Sequence, residues 1–201
     1  MNGLELFARG RLSDIEPTVL ATLMNRAPSD NPNVVTSVAS ILADVQNRGD
    51  QALLEMAERF DEVVLKGLEV PSGAWKKANN ALDPRVRAAL ERAARNIRAF
   101  HETQVPDEVS LDVEPGVRIT RAWAPLQRIG VYAPGGRAAY PSSVLMGVIP
   151  AKAAGVGEVL VCSPPGPSGS PPDEVLAACA VAGADRLFAI GGAGAVAALT
   201  Y

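Results

Sequence analysis

From residue 128 onward the chain repeats one order three times: a short apolar run, a turn rich in small residues, then a helical stretch. The repeats are RIGVYA (128–133), PGGRAAYP and SSVLMGVIPAKAAG; then EVLVCS (158–163), a loop and DEVLAACAVAG; then RLFAI (186–190) and GGAGAVAAL. Apolar strands that alternate with helices of this length pair as parallel neighbours joined by right-handed crossovers, because each helix carries the chain back to the start of the next strand. The expected fold class is therefore α/β, with an incomplete Rossmann-like parallel sheet and flanking helices over residues 126–201.

The first half is a different kind of sequence. Residues 1–100 hold 13 basic and 13 acidic residues with 5 Gly and 5 Pro, whereas residues 101–201 hold 6 and 9 with 13 Gly and 11 Pro. Val34, Val38, Ile41, Leu42 and Val45 recur at helical spacing between Pro32, a good first-turn residue, and Gly49, a C-terminal stop. Asp50 is placed to cap a second stripe of Leu53, Met56, Ala57 and Phe60, and Ser72 a short helix through Trp75 and Ala78. Asp83-Pro84 opens a longer helix with Val86, Leu90, Ala93, Ala94, Ile97 and His101 on one face. Its arginines, Arg85, Arg92, Arg95 and Arg98, lie largely on the others, as on a solvated helix surface. Residues 117–123 alternate as a half-buried strand that Pro125 ends. These features define a mainly helical part over 1–125. The stretch SPPGPSGSPP (163–172) is expected to be a surface loop.

Net charge is −3, which argues against nucleic acid as a partner. No apolar run is long enough for a membrane span. The first residues lack the basic start and apolar stretch of a secretory signal, so the expected location is cytoplasmic. Cys162, Cys179 and the single histidine, His101, are not spaced as metal ligands, and two cysteines in such a chain are expected to be reduced core residues. One histidine also leaves the chain almost without the usual general base. No nucleophile–base–orienter set is present, and the neighbours His101 and Glu102 point in different directions on a helix.

Ligands of open parallel sheets bind beyond the carboxyl ends of the strands. There the turn Tyr132-Ala133-Pro134-Gly135-Gly136-Arg137 offers backbone N–H groups, with Ser142 and Ser143 at the start of the next helix. The glycines either satisfy a tight turn or allow close approach of a phosphate or carboxylate. Gly192-Ala193-Gly194-Ala195-Val196-Ala197 has the form of a dinucleotide fingerprint, G-x-G-x-x-A, but the acidic residue expected about 20 positions later would lie beyond Tyr201.

RIGVYAPGGRAAYPSSVLMGVIPAKAAGVGEVLVCSPP (128–165) closely resembles histidinol dehydrogenase. The resemblance continues through NRGDQALLEMAERFD (47–61), RAARNIRAFHETQ (92–104), EPGVRITRAWAPLQRIGVY (114–132) and ADRLFAIGGAGAVAALTY (184–201). It implies a homodimeric, zinc-dependent enzyme that oxidises L-histidinol through the aldehyde to L-histidine with two NAD+, and an aldehyde dehydrogenase-like architecture. By position, Tyr132 matches the family's NAD-contacting tyrosine, and Gly135 and Gly136 its glycine turn. Gly194 stands where the family usually carries Gln, so a side-chain contact to the cofactor is missing there. Family chains run about twice as far, and the zinc ligands, the Glu–His acid/base pair and the histidinol-binding residues are expected beyond Tyr201, which lies on what reads as an unfinished helix. No catalytic or metal-binding residue is therefore assigned within this chain, which is expected to be inactive alone. The competing reading is a non-catalytic nucleotide-binding or scaffold module that needs a partner half.

Overall fold

The computed structural model describes residues 11–24, 31–135 and 138–201. Two compact units divide between residues 39 and 40. The smaller holds a 3₁₀ turn, Leu12–Asp14, the helix α1 (Pro17–Met24) and the start of α2 (Pro32–Arg48). The larger, residues 40–201, carries the end of α2, then α3 (Asp50–Asp61), α4 (Ser72–Ala81) and α5 (Pro84–Glu102). A hairpin follows, β1 (Val109–Glu114) with β2 (Val117–Arg121), and then β3 (Arg128–Tyr132), α6 (Pro141–Ala153), β4 (Glu158–Ser163), α7 (Asp173–Ala182), β5 (Arg186–Ala189) and α8 (Gly192–Thr200).

β3, β4 and β5 form one parallel sheet in that order, with Tyr132 paired to Cys162 and Ser163 to Ala189. The α/β expectation holds, and the strands read from their apolar runs match the observed ones to within a residue. Residues of β4 alternate between faces, as strand geometry requires. Val159 and Val161 join the core built with α6 and α7, where Val144, Leu145, Val148, Ile149, Val175 and Leu187 are also fully buried. Cys162 points the other way, to a second cluster with Leu53, Ala195 and Ala197 of α3 and α8. α4 and α5 pack outside α6 and α7, so this part of the helical first half lies directly on the α/β layers. The outer edge of β5 is covered by residues 68–70: Val70 N–H donates to Leu187 O and Ala189 N–H to Leu68 O, each at 2.8 Å.

Several local expectations need correction. Gly49, at φ +56°, is the residue before α3, and Asp50 is its first helical residue, where a carboxylate still complements the helix dipole. Likewise Pro71, not Ser72, precedes α4. Asp83 does cap α5, its Oδ1 accepting from Arg85 N–H at 2.7 Å. Phe60 and Val86 fall on the expected apolar stripes yet are exposed. Strand β2 is exposed on both faces and not half-buried, and its partner β1 was not anticipated. Ser163 belongs to the central strand and is fully buried, and Pro165 and Pro171 are buried too, so the proline loop is in part an interior segment.

Candidate functional site

The carboxyl ends of the three parallel strands lie side by side, and the candidate residues fall there. Tyr132 ends β3, and its hydroxyl accepts a hydrogen bond from Gly192 N–H at 3.1 Å, which ties the exit of β3 to the start of α8. That oxygen keeps its own proton to donate. The N–H groups of Ala193 and Gly194 follow in the first turn of α8, where helix geometry offers them no internal acceptor. This helix end thus presents backbone donors next to a phenol.

The glycine turn has a packing reason of its own. A Cβ on Gly135 would stand 3.0 Å from Pro164 Cγ, and one on Gly191 would stand 2.8 Å from Pro164 Cβ. The Pro164 ring is therefore wedged between the exits of β3 and β5, and a side chain at Gly191 would force it to move while one at Gly135 would press on it. The tight-turn alternative explains Gly135 in this way; Gly136 lies outside the described residues. Beneath the wedge, Ser163 is fully buried and its Oγ has no hydrogen-bond partner among the described residues.

Gly194 faces elsewhere. It is buried against α3, where an added Cβ would lie 3.1 Å from Met56 Sδ and 3.3 Å from Leu53 Cδ2. It borders a cavity of ≈ 280 Å³ lined also by Ile41, Phe60, Asp61 and Gly192. Burial raises the Asp61 carboxyl above its usual range, so it holds a proton to higher pH than a solvated carboxyl would. Gly192 opens the G-x-G-x-x-A pattern read from the sequence, whereas Gly191, Pro164 and Asp61 were not singled out. Gly191 had a signal, as the first of a Gly-Gly pair directly after a strand; the wedge of Pro164 and the cavity wall of Asp61 are long-range contacts that no local pattern carries.

The remaining reactive side chains do not join this site. His101 ends α5 with its Nδ1 2.6 Å from Gln104 Oε1. It lines a separate groove of ≈ 520 Å³ with Trp123, Leu126 and Val156, which precede β3 and β4 and so lie toward the strands' amino ends. Burial pushes the thiols of Cys162 and Cys179 up to about 12, so both stay protonated at neutral pH and Cys162 is no nucleophile. Among the described residues no three His, Cys, Asp or Glu side chains are grouped so as to hold a metal ion.

A parallel α/β sheet with backbone donors and glycines at its carboxyl edge defines a Rossmann-like protein. The family model for histidinol dehydrogenase matches residues 24–201, and the chain belongs to that family. Histidinol dehydrogenase of Methanosarcina barkeri is 42% identical over 192 residues, which cover 95% of this chain and 44% of that protein. That of Bifidobacterium longum is 43% identical, with 90% of this chain and 39% of the relative covered. The crystal structure of histidinol dehydrogenase from Elizabethkingia anophelis superposes with a TM-score of 0.78 at 31% identity, over 83% of this chain and 39% of that one. The chain thus spans well under half the length of these relatives.

Proposed function

We propose that this chain is the N-terminal, cofactor-facing half of an NAD-dependent histidinol dehydrogenase. The activity would be oxidation of L-histidinol through the aldehyde to L-histidine in histidine biosynthesis, by a cytoplasmic homodimer. The observation that carries the reading is the family match over residues 24–201, which spans every element around Tyr132 and Gly192.

The residues at the strand exits fit a dinucleotide. The free N–H groups that open α8 suit an anionic phosphate, the Tyr132 hydroxyl has a proton to donate, and Asp61 offers a carboxyl to a ligand hydroxyl across the neighbouring cavity. NAD+, when bound, supplies the hydride acceptor. Tyr132 then acts by position: its bond to Gly192 N–H fixes the first turn of α8 against the exit of β3. Zinc does not fit this chain, whose described residues contain no metal-holding group and whose one histidine is engaged by Gln104. Its site, and the acid and base, belong to residues outside the chain. The same observation favours a second reading, in which the chain is a non-catalytic nucleotide-binding or scaffold module that acts with a partner half.

Titration with NAD+ tests the cofactor role. Saturable binding is expected, weakened about tenfold in Tyr132→Ala as a hydrogen bond and a ring contact are lost. The absence of saturation at millimolar NAD+ would leave only the scaffold reading. The chain alone is expected to form no NADH from histidinol, and turnover that scales with chain concentration would overturn the placement of base and metal elsewhere.

A further inference from the structure

The pattern Gly192-Ala193-Gly194-Ala195-Val196-Ala197 is followed by no acidic residue within the chain, although a dinucleotide fingerprint of this form works with a carboxylate that holds the ribose. The fold supplies a carboxylate from the other side. α3 packs on α8, and Asp61, the last residue of α3, lines the same cavity of ≈ 280 Å³ that Gly192, Ala193 and Gly194 border. Apart from this carboxyl group the wall is apolar or bare backbone, with Ile41, Met56 and the Phe60 ring beside Asp61 and the glycines of α8.

Nothing in the fold explains why this position is acidic. Asp61 is half-buried, and among the described residues no hydrogen bond or ion pair reaches it. Asp44 and Glu158, also half-buried, are each met by an arginine, Arg48 and Arg128 respectively. Asp61 stands in the last turn of α3, where the helix dipole disfavours an anion, and a carboxylate in a cavity wall without a counter-charge is itself destabilising. Arg59 lies close by, over the Phe60 ring at 4.8 Å, but it lines an adjoining groove with Asp44 and Glu55 and not this cavity. Asp61 is therefore the one ionisable side chain on the wall.

Such a wall sorts dinucleotides by the charge on the ribose. An ionised carboxylate only accepts hydrogen bonds, which suits a ribose hydroxyl. A phosphate ester in the same place would set up to about two further negative charges against it, with no cation on the wall to meet them. The volume is at the lower end of the range for ligand pockets, roughly 300 Å³, so the cavity takes a nucleoside end and not a whole dinucleotide.

We propose that Asp61 selects NAD+ over NADP+, its carboxylate accepting a hydrogen bond from the adenosine ribose and repelling a 2′-phosphate. The assignment rests on the cofactor role proposed above and names the residue that gives that role its specificity.

Titration of the chain with each dinucleotide, at low and at high salt, tests it. The wild type is expected to saturate with NAD+ and to bind NADP+ roughly tenfold more weakly, the gap narrowing as salt screens the charges. Asp61→Asn has the same shape and can still bond a hydroxyl. It is expected to strengthen NADP+ binding by on the order of tenfold, to leave NAD+ binding within a few-fold, and to make the ratio of the two less sensitive to salt. Tyr132→Ala, by contrast, weakens both dinucleotides alike and leaves their ratio unchanged. A wild type that saturates with NAD+ while Asp61→Asn keeps the same ratio leaves the cofactor site standing and overturns the role of Asp61. Equal binding of the two dinucleotides by the wild type does the same. A wild type that binds neither overturns the cofactor reading itself and this assignment with it.

Discussion

β4 and β1 have the same length and sit in the same compact unit, yet β4 buries Val159, Val161, Cys162 and Ser163 almost completely while every residue of β1 is exposed. The difference is one of connection. Each strand of the parallel sheet is followed by a helix that the crossover lays back onto the sheet, so strand and cover come in one purchase of chain entropy. The hairpin is closed by Pro115 and Gly116, with Gly116 at φ +84° as a type II turn requires, and brings no cover of its own. Local turn chemistry thus suffices to shape a hairpin, whereas burial depends on what else the chain or its partner lays across it.

The largest expected effect lies in the parallel sheet. Leu187→Ala removes a fully buried side chain from β5 and is expected to cost about 2–5 kcal/mol in urea unfolding, the range for a core cavity. A loss below about 1 kcal/mol would mean the sheet is as loosely covered as the hairpin. Next comes the seam between β3 and α6, where a Cβ on Gly147 would meet Val131 Cγ1 at 2.5 Å. Gly147→Val is expected to cost about 1–3 kcal/mol through overpacking, with the same unfolding midpoint as the measure. An unaffected midpoint would show that α6 rides higher on the sheet than the close contact at Gly147 requires.

Legibility followed the same division. RIGVYA, EVLVCS and RLFAI were readable because each is a short apolar run followed by a turn and a helical stretch, although only the central strand β4 is largely buried, β5 buries alternate residues and β3 has no buried residue. VSLDVE (109–114) was also readable in principle, since it alternates perfectly and precedes Pro-Gly, but a strand with neither face buried does not match the half-buried pattern assigned to 117–123. For the site, the rule that ligands gather at carboxyl ends located Tyr132 and Gly135 correctly in the fold. It could not find Pro164, because a proline in a Pro-Gly-Ser stretch reads as surface while its ring is held between two glycines distant in sequence. Nor could it orient Gly194, whose neighbours Met56 and Leu53 lie some 140 residues earlier.

Acid should also separate the two regions. Asp185 Oδ2 accepts from Val159 N–H at 2.6 Å and from Lys152 Nζ at 2.5 Å, joining the start of β5 to β4 and α6. Burial raises its pKa, but the ammonium and the amide outweigh that and hold the carboxyl below the usual carboxylate range. A lowered native pKa contributes stability that is complete above the unfolded value, about 4, and is lost as pH falls through the native one. Asp185→Asn is therefore expected to lower the midpoint at neutral pH and to flatten its fall in acid. Equal slopes for variant and wild type would place the acid sensitivity elsewhere.

The smallest effect is expected on the polar face of the hairpin. Arg118 holds the Asp112 carboxyl below its usual range through two hydrogen bonds, so the sign of the acid dependence is the same as for Asp185. The environment differs: both partners of this pair stand fully in water, where solvent and salt screen the attraction and ordering two side chains offsets most of it. Asp112→Asn is expected to leave the unfolding midpoint within replicate error at neutral pH and in acid alike. A loss as large as that of Asp185→Asn would mean that the polar face of the hairpin is covered and the pair is shielded from solvent.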